Sequence, residues 1–134
     1  MKIYQNIKNY LPIIAWPMLV LAMHLLCMEF GAYRYIYSLD TPMHFFGGAS
    51  IAASSYYLFK HLENKKEFSA IPIVKVLFAI AITGLIAVLW EFSEYGQDLL
   101  FHTAMQPSIF DTMKDLAMGL LGATAVSAIK YFQK

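Results

Sequence analysis

The chain has 134 residues, 59% of them hydrophobic and only 14% charged, with a net charge of +1. An ordinary soluble domain carries about 25% charged residues, so this composition excludes a water-facing globular surface, and the balanced charge offers no attraction to nucleic acid. The single cysteine, Cys27, excludes an intramolecular disulfide and, inside an apolar run, reads as a small hydrophobe.

Four apolar windows follow in chain order, predicting helices over about 11–30, 42–60, 71–98 and 111–132. Lys2 and Lys8 ahead of the first window resemble a signal peptide, but the apolar run is long and no small-residue cleavage site follows it, which predicts an uncleaved first span. Each window approaches the roughly 20 residues a helix needs to cross the hydrocarbon core. Lipid offers no partner to backbone groups, and four segments are too few for a strand barrel. The expected fold class is therefore all-α: an integral membrane bundle of four transmembrane helices, one transmembrane domain over 1–134.

The connections carry the punctuation. Residues 31–42 are aromatic and end in Thr41-Pro42, where Pro suits a first helical position and Asp40 or Thr41 can cap it. Residues 60–70 form a short charged loop. In 99–110, Ser108 with Asp111 predicts a capped start for the last helix. Tyr33, Tyr35, Tyr37, Trp90 and Tyr95 read as an interfacial aromatic belt, Glu29 and Arg34 as an interfacial pair, and His24 as a hydrogen-bonded core residue.

Basic residues set the expected orientation. With both termini and the 60–70 loop in the cytoplasm, that side holds Lys2, Lys8, Lys60, Lys65, Lys66, Lys75, Lys130 and Lys134, eight of the ten basic residues; Arg34 and Lys114 lie opposite. The expectation is a multi-pass protein of the cytoplasmic membrane. The acids then segregate: Glu63 and Glu67 lie inside, while Glu29, Asp40, Glu91, Glu94, Asp98, Asp111 and Asp115 gather at the outer end with His44 and His102.

Spacing organises that cluster, because residues three or four apart share a helix face. Asp40 and His44 open the second helix on a face continued by Gly48, Ala52 and Ser55. Glu91 and Glu94 close the third on a face with Ala87 and Gly84, and Asp98 extends it outward. Asp111 and Asp115 open the fourth, followed by Gly119 and Gly122. Small residues let membrane helices approach closely, so packing the three stripes together points six ligand-type side chains into one pocket. Five carboxylates and an imidazole cannot all stay ionised unaided; either some take up protons or a cation sits among them. Inward-facing Glu and His at helical spacing bind metals in helical bundles, and oxygen-rich ligands with one imidazole suit Mg²⁺, Mn²⁺, Fe²⁺ or Zn²⁺. The plainer reading makes Asp40, Thr41 and Asp111 helix caps and Glu91 and Glu94 ordinary juxtamembrane acids; three pairs at one depth on small-residue faces favour the site. Asp98 and His102 read as solvated loop residues.

These motifs carry a family resemblance. Asp40-Thr41-Pro42-Met43-His44 with Gly47-Gly48, then Trp90-Glu91-Phe92-Ser93-Glu94, then Asp111-Thr112-Met113-Lys114-Asp115 with Gly119 and Gly122, resemble VanZ-like membrane proteins over about residues 38–125. The Glu-x-x-Glu and Asp-Thr-x-x-Asp forms are closer to the YjdF-like branch. VanZ-like members usually carry Gln at the position of Glu94, and an Arg in the hairpin before the last helix that is absent here. The resemblance implies that Asp40, His44, Glu91, Glu94, Asp111 and Asp115 form one unit.

The expected function is a metal-dependent hydrolase or transferase acting on a lipid or envelope precursor. Asp40, His44, Glu91, Glu94, Asp111 and Asp115 are the expected divalent-metal ligands, and Glu91 or Glu94 the general base. Membrane lipid is the expected partner, with no nucleic acid. The alternatives are a cation or proton carrier, an envelope-stress accessory that binds ligand without chemistry, and a structural subunit. A carrier is expected to place polar groups near the midplane within internal repeats; here they sit at one end. The metal's identity, the substrate and the oligomeric state stay open at this level.

Overall fold

The computed structural model describes residues 2–36 and 38–133, with side chains from residue 10 onward. Among them the chain is helical throughout: α1 Lys2–Glu29, α2 Ala32–Tyr35, α3 Asp40–Asn64, α4 Pro72–Phe101 and α5 Ile109–Phe132. The all-α expectation is met, with longer helices than hydropathy alone predicts. The expected first helix at 11–30 starts at Lys2 instead, because nothing in 2–10 breaks a helix, so the apolar run begins inside it. Tyr37, expected in the aromatic belt, lies outside the described residues, as do the side chains of Lys2 and Lys8 and all of Lys134.

Local chemistry sets the ends. Gly31 adopts the left-handed conformation, φ 66°, and stops α1. Pro72 occupies the first turn of α4, where its missing N–H costs nothing. The Ser108 side chain accepts from the backbone N–H of Asp111 at 3.2 Å and starts α5 as the sequence predicts. At α3 the expected cap is absent: Leu39 takes the capping position, and neither Asp40 nor Thr41 caps the helix with its side chain. The reason is that Asp40 turns inward toward His44.

The bundle is built around α3 and α5. A Cβ added at Gly48 would overlap the backbone of Gly119, and one at Gly122 would overlap the carbonyl of Phe45. Small residues here bring backbones into direct contact. Ala52, Ala79 and Ala123 continue this seam, fully buried, toward Phe59. Phe68 from the 65–71 loop stacks on Phe59 with ring centroids 5.4 Å apart, and an ion pair between Lys75 and Glu63 crosses the same loop. On the far side of α3, α1 is tied in by Tyr10 against His61 at one end and His24 against Trp90 at the other.

Apolar side chains face outward on every long helix, among them Leu25, Leu26, Leu85, Leu89, Phe92, Leu121 and Ile129. Two helices, over Tyr10–Glu29 and Pro72–Phe101, are long and apolar enough to cross a membrane by composition. α3 and α5 carry the acids, serines and glycines that pack against each other, which lowers their hydropathy although they have 25 and 24 residues.

Neighbouring glycines test the α3–α5 seam. Gly48→Val is expected to destabilise by at least about 1–3 kcal/mol through overpacking. Gly47→Ala, where a Cβ meets nothing within 4 Å, is expected to be neutral or to gain roughly 0.5–1 kcal/mol. Thermal denaturation in one detergent measures both; equal melting temperatures would refute the contact.

Candidate functional site

The crossing of α3 and α5 sets the site one turn above itself. Gly48 lies four residues after His44 and Gly119 four after Asp115, so both ionisable side chains project from the turn beyond the crossing, on the same face as the glycines. Helix α4 enters from the other side with Glu91 and Glu94, which the i, i+3 spacing places on its inner face.

His44 is the hub. Its Nε2 lies 3.4 Å from Asp40 Oδ1 and 4.0 Å from Asp115 Oδ2, and its Nδ1 lies 3.9 Å from Glu91 Oε1. Glu91, Glu94 and Asp115 are buried, at 4%, 5% and 2% exposure. Two groups of ligand atoms fall within 4.8 Å of one another, Asp40–His44–Asp115 and His44–Glu91–Glu94, and His44 belongs to both.

Each carboxylate is anchored on one side. Gln106 Nε2 donates to Glu91 Oε2 at 2.6 Å and to the Glu91 carbonyl at 2.9 Å. Trp90 Nε1 donates to Glu94 Oε1 at 2.7 Å. Lys114 Nζ lies 3.5 Å from Asp115 Oδ1. Two buried oxygens have no hydrogen bond, Glu91 Oε1 and Asp115 Oδ1, but Asp115 Oδ1 has the Lys114 ammonium beside it. Leaving such a group unsatisfied costs about 1–3 kcal/mol, more when it is charged, so Glu91 Oε1 marks a place for a missing partner.

Five of the six expected ligands are thus brought together. The sixth, Asp111, is not: it pairs with Lys114 at 2.6 Å and joins neither group among the described residues. Lys114, one of the two basic residues expected at that end, supplies positive charge to Asp111 and Asp115. Trp90, read as interfacial belt, instead packs edge-on against His24 at 5.1 Å between ring centroids and donates into the site. His24 is a hydrogen-bonded core residue, with Nδ1 2.7 Å from the Tyr33 hydroxyl. Glu29 and Arg34 form no ion pair with each other.

Sequence reasoning missed the hairpin between α4 and α5. Asp98, expected to be solvated, accepts from the Thr103 hydroxyl at 2.5 Å and from the backbone N–H groups of Met105 and Gln106 at 2.8 and 2.9 Å. This holds the turn closed beside the exposed His102, which ends α4 in the left-handed conformation at φ 53°. Gln106 is thereby placed against Glu91. No spacing rule reports such a residue; the signal available was an acid near a helix C-terminus, followed by Thr and backbone donors.

The arrangement is a largely covered imidazole between carboxylates from three helices, at one end of an apolar-sheathed bundle. A comparison with known families matches residues 3–134 to the one described as predicted membrane protein (DUF2238). An uncharacterized protein of Thermotoga maritima is 32% identical over 103 residues, covering 76% of this chain and 52% of the relative. The chain therefore spans about half the length of that relative. No solved structure matches the chain. With the family match running over nearly the whole sequence, and a helical fold whose outer faces are apolar, the chain belongs to this family of predicted membrane proteins.

Proposed function

We propose that the protein crosses the cytoplasmic membrane four times and binds a divalent cation in the pocket of His44, Glu91 and Glu94, with Asp115 beside Asp40 at the other nitrogen of the ring, using the ion for hydrolysis or group transfer on a lipid or envelope precursor. The observation that carries this reading is the Glu91 carboxylate: one oxygen is fixed by Gln106, while the other is buried, without a partner, and 3.9 Å from His44 Nδ1. That separation is too long for a hydrogen bond. It suits two ligands of one ion, since ligand atoms each about 2.0–2.2 Å from a metal lie at most about 4.4 Å apart.

Imidazole with carboxylates selects Mg²⁺, Mn²⁺, Fe²⁺ or Zn²⁺. Asp40, against the opposite nitrogen of His44, orients the ring as carboxylates do behind metal-bound histidines. Asp111, neutralised by Lys114, stays outside the ligand shell. A cation held there would lower the pKa of its bound water toward neutral, with one of Glu91 and Glu94 as ligand and the other as general base. The order of the Asp40–His44, Glu91–Glu94 and Asp111–Asp115 motifs, which resembles VanZ-like proteins and their YjdF-like branch, supports treating these residues as one unit.

The four-span topology rests on length and charge. At 1.5 Å per residue α3 and α5 extend over about 36 Å, enough for a hydrocarbon core of about 30 Å, and their polar groups turn toward each other. The basic bias puts both termini in the cytoplasm.

Elemental analysis of the detergent-purified protein is expected to find one divalent metal per chain, reduced about tenfold or more in Glu91→Ala and in Asp115→Ala, since even outer-shell changes cost 10–100-fold in affinity. Equal metal in all three proteins would remove the shared site. A metal-free wild type, after addition of all four ions, would make the cluster a protonated carboxylate network and favour the carrier or accessory reading.

For the topology, single cysteines at Asn64 and Ala104, both exposed, are introduced into a Cys27→Ser background. A membrane-impermeant thiol reagent is expected to reach them from opposite faces. Labelling of both from one face would refute four spans.

A further inference from the structure

α3 packs tightly against α5 on one side and loosely on the other. Between α1, α3 and α4 lies a cavity of about 400 Å³, within the usual range of small-molecule sites. Its walls include Val20 from α1, Ile51 and Leu58 from α3, and Ile82, Ile86 and Trp90 from α4. Three lining residues that carry hydroxyls return them to their own helix: Ser50 donates to the Gly47 carbonyl, Ser55 to Ile51 and Thr83 to Ala79. The surface they present is therefore apolar. Ser54 is the exception, with a buried hydroxyl that has no partner.

The cavity is long. On α3 it runs from His44 to Leu58, about 21 Å of helix rise. It is a groove open along one side, between helices whose outer faces are apolar. Its length exceeds one leaflet's share of a hydrocarbon core of about 30 Å. An apolar groove of this size, opening among lipid-facing helices, takes an apolar occupant from the bilayer. The polar end is equally specific: His44 lines the channel and is also the hub of the carboxylate cluster. Trp90 forms the adjoining wall while its Nε1–H donates to Glu94.

We infer that this channel binds one acyl chain of a membrane phospholipid, with the lipid's headgroup held at the His44 end. The inference takes its membrane setting from the proposed function and names the substrate class for that site, but chain binding does not require the metal. An amphiphile seated this way presents its polar linkage to His44, Glu91 and Glu94 and keeps its chain out of the reaction zone.

The test uses the full chain reconstituted with phosphatidylethanolamine, whose headgroup ammonium suits the acids around His44, then released into the gas phase for native mass spectrometry, with metal content measured on the same samples. The wild type is expected to retain one phosphatidylethanolamine. Gly47→Phe, which projects into open space lining the channel, and Ile86→Phe from the opposite wall are expected to lower lipid occupancy about tenfold, a difference of roughly 1.4 kcal/mol, with metal content unchanged. Glu91→Ala is expected to lose metal and keep the lipid, so failure of the metal reading leaves this one standing. Ser54→Ala is expected to retain the lipid. Full occupancy in both phenylalanine variants, loss in Ser54→Ala, or a lipid-free wild-type dimer would each overturn the inference. Should the phenylalanine variants not fold, a phosphatidylethanolamine with a photoreactive group midway along its chain maps the site in the wild type. Adducts at Ile51, Leu58 and Ile82 are expected; adducts confined to the outward-facing Leu85 and Leu89 would refute it.

Discussion

The rest of the structure depends on how closely the backbones of α3 and α5 approach. At Gly48 and Gly119 no side chain separates them, and one turn beyond that crossing His44 and Asp115 face each other at 4.0 Å. A β-carbon at Gly48 would overlap the Gly119 backbone and push the helices apart, and the imidazole and carboxylate would separate with them. The same crossing fixes the depth of Asp40, one turn above His44 on α3. Packing and chemistry are thus set by the same pair of residues, and the small-residue seam through Ala52 and Ala123 is as much part of the site as the acids.

Bilayer surroundings explain why α3 can be tight on one face and open on the other. In water, a channel between α1, α3 and α4 would collapse or fill with solvent. Among hydrocarbon chains there is little hydrophobic drive to close it, because lipid is as apolar as the walls. Stability must come instead from close packing where backbones touch, and from hydrogen bonds that remove polar groups from contact with lipid. Trp90 and His24 show the second device: each has an apolar ring body and a polar nitrogen, and each turns its nitrogen to a partner, Glu94 and Tyr33 respectively.

Much of this was legible in the sequence because it rests on helical periodicity. Asp40 with His44, Glu91 with Glu94, and the glycines following Asp115 declare their faces by spacing alone, and those faces meet. What spacing could not show was anything set by a turn. Gln106 reaches Glu91 only because the 102–108 segment folds back over the end of α4. The pairing of Lys114 with Asp111, three residues apart on α5, was by contrast open to a spacing argument. The start of α1 was missed for a different reason: hydropathy reports where a membrane begins, whereas a helix begins where its hydrogen bonds begin.

The hairpin has a further consequence. Asp98 gathers three donors from the turn, and Gln106, held by that grip, places its amide on Glu91. A free glutamate loses up to about 1.5–2 kcal/mol of rotamer entropy when immobilised; here that loss is incurred when the chain folds, before any ligand arrives. Glu91 is therefore aimed in advance, and its aim is set from outside the helix that carries it. The turn works as a mount: residues that follow the end of α4 decide which way a carboxylate on α4 points.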